Sequence, residues 1–302
     1  MTSDALDSAR DSRRVRLVDR LIASLIGARG TIRRIRFTEA GRTYVSYVPD
    51  DSLWVAVKDN LILSEYERTS IRLFEFSGVV VDAGAHVGLF TLRASTYAKY
   101  VVALEPHPAN YALLEINLSL NERTGVAAFP KALWCSSTGA SLADGHHSAD
   151  SSLVKVGRGS RPVQTITLDD LSRAIGMIDL LKLDIEGAEF EVLQTCADET
   201  LQRIGAVVGE LHASEEDKIH RLRSRLESAG FAVTLLDPPS RYWRESLCRM
   251  IRRWRCVEGL TRVKVVIIGL YTVGALWALV HRKPDRLADL MFLYARRLSA
   301  DP

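Results

Sequence analysis

The sequence predicts an α/β protein built on a doubly wound sheet, and three observations carry that expectation. Short apolar runs rich in β-branched residues, Val79 to Val81 and Val101 to Leu104 first among them, alternate with helical stretches. That is the pattern of parallel strands covered on both faces by crossover helices. A glycine turn, Asp82-x-Gly84-x-x-x-Gly88, follows the first run and opens a helix over 89–97. The second run ends in Glu105, 23 residues beyond Asp82, about where such sheets place an acidic group that hydrogen-bonds a ribose.

Residues 6 to 26 set Val15, Val18, Leu21, Ile22, Leu25 and Ile26 at helical spacing among Arg10, Arg13, Arg14, Arg16 and Arg20. This basic amphipathic helix either packs on the domain with a solvated cationic face or lies on an anionic membrane surface. Ile32 to Phe37 and Thr43 to Val48 alternate around Glu39-Ala40-Gly41 as a β-hairpin, and Glu65 to Phe76 is expected as a helix leading into the first core strand. After Glu105, Pro106-His107-Pro108 opens a helix reaching Leu120, and Val126 to Phe129 is a third strand.

Ser136 to Gly159, rich in Gly, Ser and His, is expected to be a mobile loop near the site. Its pair His146-His147 lacks spacing to further ligands that would make a metal centre. Thr165 to Thr167 ends a strand, with Asp169 and Asp170 as acceptors for the free amides of the helix that follows. Ile178 to Leu183 is a buried strand delivering Asp184 and Glu186 to its carboxyl end, the edge at which open α/β sheets bind ligands. Gly187 permits a sharp exit into a helix over 189–196. A fifth core strand runs from Ala206 to His212, Asp217 to Ser228 is helical, and Phe231 to Leu236 is a sixth strand.

The glycine turn narrows the cofactor. His86 stands where a dinucleotide fingerprint has its second close glycine, which argues against a pyrophosphate on the helix N-terminus. A nucleoside without phosphate fits better, and S-adenosylmethionine is the common one. A nicotinamide dehydrogenase is disfavoured by the same spacing. At 302 residues and a net charge of +3 the chain can bury a sizeable core, and its ordinary apolar and charged fractions exclude wholesale disorder. Cys135, Cys196, Cys248 and Cys256 form no Cys-x-x-Cys pair and read as reduced thiols of a cytoplasmic protein. The charged first twenty residues are not a secretory signal. Basic stretches flank apolar ones rather than an aromatic stacking platform, so nucleic acid is not the expected partner.

Four motifs together, Val-Asp-Ala-Gly-Ala-His-Val-Gly (81 to 88), Ala-Leu-Glu-Pro-His-Pro (103 to 108), Thr-Leu-Asp-Asp-Leu (167 to 171) and Leu-Lys-Leu-Asp-Ile-Glu-Gly-Ala-Glu (181 to 189), resemble those of the FkbM family of S-adenosylmethionine-dependent methyltransferases. Glu210 and His212 also stand where such proteins tend to carry them. The resemblance spans roughly residues 60 to 236 and resumes at Leu290 to Arg296. It implies the Rossmann-like class I methyltransferase fold, a seven-stranded sheet with one antiparallel strand.

It further implies that Asp82, Gly84, His86 and Gly88 shape the methionine end of the cofactor and that Glu105 binds the ribose hydroxyls. Asp150 and Ser151 would border the adenine, and Asp184 and Glu186 would face the sulfonium and the acceptor. The family is mostly associated with methylating hydroxyl groups of sugars and secondary metabolites, for which Glu186, His212 and Asp184, in that order, are the candidate bases. An N- or carboxyl-methyltransferase, or a non-catalytic scaffold that binds cofactor or membrane, are the alternatives.

The expected organisation is an N-terminal helix and hairpin over 1–60, a cofactor-binding core over 61–236, a basic and apolar insert over 237–289, and a last strand with tail over 290–302. Within the insert, the sixteen uncharged residues from Val265 to Val280 fall short of the about 20 that span a bilayer. Three readings stand: an interfacial or re-entrant anchor on an anionic membrane, a helix buried against the domain or a second copy, or a true span. The first would place the protein at the inner face of the membrane beside a lipid-linked saccharide.

Overall fold

The computed structural model describes residues 31–69, 71–143, 153, 160–212, 216–236, 248–249, 252–253, 256–258 and 291–298. The basic helix over 6–26, the pair His146-His147, Asp150, Ser151 and the run from Val265 to Val280 lie outside the described residues.

In chain order the strands are β1 (Ile32–Glu39), β2 (Arg42–Pro49), β3 (Val79–Ala83), β4 (Tyr100–Leu104), β5 (Val126–Phe129), β6 (Lys131–Leu133), β7 (Ala140–Leu142), β8 (Arg161–Ile166), β9 (Ile178–Leu183), β10 (Ile204–Leu211), β11 (Phe231–Leu236), β12 (Val257–Glu258) and β13 (Met291–Arg297). Seven of them form the main sheet in the order β11-β13-β10-β9-β3-β4-β5. β13 runs antiparallel to both its neighbours, and the pairings β10–β9, β9–β3, β3–β4 and β4–β5 are parallel. This is the expected α/β sheet with one antiparallel strand.

Its centre is dry because the strand residues are apolar on both faces. Val81 pairs with Val102 on one side and Leu181 on the other, and all three are buried. The chain winds outward from β3 through β4 to β5, then returns to β9 on β3's other side. The sheet therefore reverses direction between β3 and β9, and a crevice opens outside the carboxyl ends at such a switch.

The helices follow the expected pattern where the sequence was periodic. Pro108–Leu120 begins with proline at a position that needs no amide donor, and Glu216–Ser228 buries Ile219, Leu222 and Leu226 along one face. Three expectations are corrected. Glu65 to Phe76 is not one helix: it carries two single turns, Glu65–Glu67 and Leu73–Glu75, with extended backbone at Arg68 and Arg72. Tyr66, Ile71, Leu73 and Phe76 are buried by tertiary packing rather than by a helical stripe. The helix Leu168–Ile175 is capped by Thr167, whose Oγ1 accepts from the Asp170 amide and donates to the Asp170 carboxylate, rather than by Asp169 or Asp170 alone. The stretch expected as a mobile loop after Ser136 carries β7, which pairs with β8.

The hairpin β1–β2 is bolted to the core. Asn117 of Pro108–Leu120 and Asn121, which caps that helix, each accept from and donate to the backbone of β2, at Tyr47 and Val45. These side chains satisfy an edge that would otherwise be open to pairing. Arg93, 1% exposed, ties the same hairpin to the next segment: it donates to Glu39 at 2.9 Å, to the Asn60 carbonyl at 2.7 Å and to Glu67. Arg253 of the insert joins Glu39 at 2.6 Å.

Candidate active site

At the carboxyl end of β3 the chain turns through Gly84 (φ +77°) and Gly88 (φ +86°). A Cβ at Gly84 would lie 1.7 Å from the Asp184 carbonyl oxygen, so the exits of β3 and β9 can lie together only with glycine there. Between the two glycines, the His86 amide donates to one oxygen of Glu105 and the His107 amide to the other, both at 2.8 Å. Burial raises the Glu105 carboxyl to about 7 against the pull of those two amides. Desolvation lowers the pKa of the half-buried His86 ring to about 4, and its Nε2 lies 3.3 Å from the Ser52 hydroxyl.

Behind this turn lies Lys182, the cross-strand partner of Asp82. Its ammonium is 3.1 Å from Asp82 and 3.4 Å from Asp184, and donates to the Gly84 carbonyl at 2.7 Å. Burial opposes its charge, yet Asp82 and Asp184 outweigh that and raise its pKa. Asp82, fully buried, also accepts from Thr91. It therefore helps set the position of Lys182 and the helix Leu89–Ala94.

Three groups meet on the other side of Lys182. Tyr66 Oη stands 2.7 Å from Asp184 Oδ2 and 2.9 Å from Glu210 Oε1. Asp184 remains ionised: burial pushes its carboxyl up, but Lys182 and His212 pull it below the usual range. Glu210 goes the opposite way, because burial and the charges of Asp184 and Asp59 all disfavour its anion.

Beyond them Glu186, in the left-handed region at φ +55°, lies 3.6 Å from His212 Nε2. His212 Nδ1 is 3.3 Å from Glu189, which also accepts from the Ile185 and Gly187 amides. Burial lowers the His212 pKa, but Glu189, Glu186 and Asp184 outweigh it and raise it to about 10. His212 thus lies between Glu186 and Glu189, with the charged form of its ring favoured.

These elements enclose a cleft of about 1010 Å³, its open mouth included. Gly84, His86, Glu105, Asp184, Glu186 and Glu210 line it, whereas Asp82, Gly88 and His212 stand behind the lining. Pro106, Ala132, Leu133, Leu142 and Leu153 give it an apolar flank. Tyr66, Lys182 and Asp59 were not expected there. Lys182 had a signal, a single cation inside the apolar run Leu180 to Leu183; Tyr66 and Asp59 stand on irregular turns with no period to betray them. Oxygen atoms of Asp59, Glu65 and Glu210 lie within 4.8 Å of one another. Lys58 contacts Asp59 and lies 3.5 Å from Glu65, so a side-chain ammonium already faces that cluster.

Comparison with known proteins agrees with this geometry. The Methyltransferase FkbM domain matches residues 82–233, from β3 to β11. Methyltransferase 1 of Beauveria bassiana (strain ARSEF 2860) is 30% identical over 194 residues, covering 55% of this chain and 76% of its own. Methyltransferase sdnD of Sordaria araneosa is 32% identical over 203 residues, covering 51% and 74%. Among solved structures, M. jannaschii TYW2 in complex with AdoMet aligns over 89% of each chain at 15% identity and a TM-score of 0.39, a distant likeness that says nothing of the acceptor. With half of this chain matched by the domain and three-quarters of a relative covered at 30% identity, the protein belongs to the FkbM family of methyltransferases, whose methyl donor is S-adenosylmethionine.

Proposed function

We propose that this protein transfers the methyl group of S-adenosylmethionine to a hydroxyl group of a saccharide, a lipid-linked saccharide or a secondary metabolite. The observation that carries the reading is the pairing, along one sheet edge, of Glu105 with the acidic pair Asp184 and Glu186.

The residues present fit the donor. The oxygens of Glu105 accept two backbone amides and the Asn110 side chain, which leaves acceptor capacity for a ribose hydroxyl. The apolar flank from Pro106 to Leu153 suits a purine face. Ionised Asp184 suits a cationic sulfur. When bound, the donor supplies an electrophilic methyl group on that sulfur.

The protein's own residues do the rest. Backbone and carboxylates hold the two reactants in line, which supplies most of the acceleration in a displacement of this kind. Asp184 and Glu186 are the carboxylates placed to take the proton of the attacking hydroxyl, and His212 keeps Glu186 in position. All four cysteines are free thiols, in keeping with a cytoplasmic protein. Among the described residues no helix is long and apolar enough to cross a membrane.

Titration of Glu105→Gln and Asp184→Asn with S-adenosylmethionine tests the donor site. At least tenfold weaker binding is expected in each, and parental affinity in both would sink it. Incubation with saccharide and lipid-linked saccharide fractions tests the acceptor. The product should survive mild base as an ether does; release of methanol would identify an ester and overturn the hydroxyl reading.

A further inference from the structure

We propose that Asp184, Tyr66 and Glu210 form a proton-accepting chain, which takes the proton of the attacking hydroxyl at Asp184 and stores it on Glu210. The inference rests on the reading above, in which a hydroxyl acceptor meets the donor's methyl group beside Asp184.

Counting donors gives the first reason. A phenol carries one O–H, yet Tyr66 Oη has a carboxyl oxygen at 2.7 Å on one side and another at 2.9 Å on the other. The phenol can donate to only one of them. The second contact becomes a hydrogen bond only when that carboxyl brings its own proton. Three oxygens in a row therefore have a place for one proton beyond the phenol's own, and the extra proton can sit at either end.

The surroundings decide which end. Lys182 and Asp184 come from β9 and its exit, Glu65 and Tyr66 from the single turn before β3, Lys58 and Asp59 from the wide turn Lys58–Ile62, and His212 from the exit of β10. Tyr294 of β13 donates to the Glu65 carbonyl from the far side. Lys182 and His212 both favour the anion of Asp184, whereas at Glu210 burial and the charges of Asp184 and Asp59 outweigh the pull of His212. Glu210 is the stronger base of the two, so a proton delivered to Asp184 moves downhill to Glu210. Glu186, the other carboxylate on the cleft, faces the ring of His212, which bridges it to Glu189 rather than to Tyr66 and Glu210.

The step balances. The acceptor oxygen forms a bond to the methyl carbon as the carbon–sulfur bond breaks, and that electron pair stays on sulfur, which becomes neutral. The hydroxyl proton passes to Asp184, Asp184 passes a proton to Tyr66, and Tyr66 passes its own to Glu210. One positive charge leaves sulfur and one negative charge leaves Glu210. Glu210 must be ionised beforehand, and an incoming cationic sulfur favours that state.

The chain can be read without knowing the acceptor. S-adenosylmethionine and S-adenosylhomocysteine are titrated separately, at pH 6 and pH 8, in buffers of different ionisation enthalpy. The cationic donor should release a fraction of a proton that the neutral product does not. Protons exchanged by Glu105 on ribose binding occur with both ligands and cancel in the difference. In Glu210→Gln the difference should vanish. In Tyr66→Phe, which keeps the ring edge against Phe90, the infrared band of the protonated carboxyl, assigned by its absence in Glu210→Gln, should shift.

Equal proton counts for the two ligands in the parent protein overturn the proposal, and so does a carboxyl band indifferent to Tyr66→Phe. A merely structural tyrosine would produce the latter. Failure of the parent to bind S-adenosylmethionine at all would instead remove the donor reading on which the proposal stands.

Discussion

One wall of the cleft is the carboxyl edge of the sheet, where Gly84, Glu105, Asp184 and Glu186 each stand within three residues of a buried strand. The other wall is the segment from Ser52 to Glu67, where Asp59 and Tyr66 sit on short turns. The strand wall is held by ladder hydrogen bonds and a dry core. The turn wall is held by buried charge: Arg93 reaches Glu39, Glu67 and the Asn60 carbonyl, and Arg253 reaches Glu39 and the Leu61 carbonyl. Both line the same cavity, yet they should fail under different stresses.

Removing the cation behind the strand wall should have the largest effect. Lys182→Met leaves Asp82 buried without its partner and should cost about 3 to 5 kcal/mol, read as a lower denaturant midpoint. An unchanged midpoint would mean that the Gly84 turn is held without Lys182.

Acid should attack the turn wall next. Burial pushes the Glu39 carboxyl up, but Arg93 and Arg253 outweigh it and hold the group at about 2, against an ordinary value of 4.5. A carboxyl whose folded pKa is depressed contributes stability above its unfolded value and loses it as pH falls toward the folded one. Stability should therefore drop by roughly 3 kcal/mol between about pH 4.5 and pH 2 through this group. Glu39→Gln should flatten that limb of the pH–stability curve, and a slope identical to the parent's would assign the acid sensitivity elsewhere.

Smaller effects sharpen the same contrast. Glu105→Gln should weaken S-adenosylmethionine binding by about 10- to 100-fold, or roughly 1.4 to 2.8 kcal/mol, with the fold intact by circular dichroism. Asn121→Ala removes one of the two side chains that satisfy β2 and should cost about 1 to 2 kcal/mol. Cofactor affinity should not move, because neither Asn121 nor its partner Val45 lines the cleft.

The contrast also explains what was legible beforehand. Val79 to Val81, Val101 to Leu104 and Leu180 to Leu183 announce themselves as buried strands, and polar residues at their ends are then sites by position. Glu105, Asp184 and Glu186, expected from that position, line the cleft. Asp82 stands behind the lining because one residue of register decides whether a strand-end carboxylate faces the cleft or the helix beneath it. For His212 the sequence shows the ring but not the three carboxylates around it, which raise its pKa. Tyr66 was hidden most completely. It stands in a stretch expected as a helix, and its two partners lie 118 and 144 residues away.

β13 has a consequence for how the chain is made. β10 and β11 are successive strands of the main sheet but do not pair with each other; residues 291–297 lie between them and hydrogen-bond to both. During synthesis the five strands from β5 to β10 can assemble while β11 waits, and Tyr294 must still arrive before it can donate to the Glu65 carbonyl. The nascent protein thus exposes an open edge on β10 until its last strand emerges from the ribosome. A stop codon ahead of residue 291 would leave that edge bare and the turn wall unbraced, so late truncations should aggregate rather than yield a shortened enzyme.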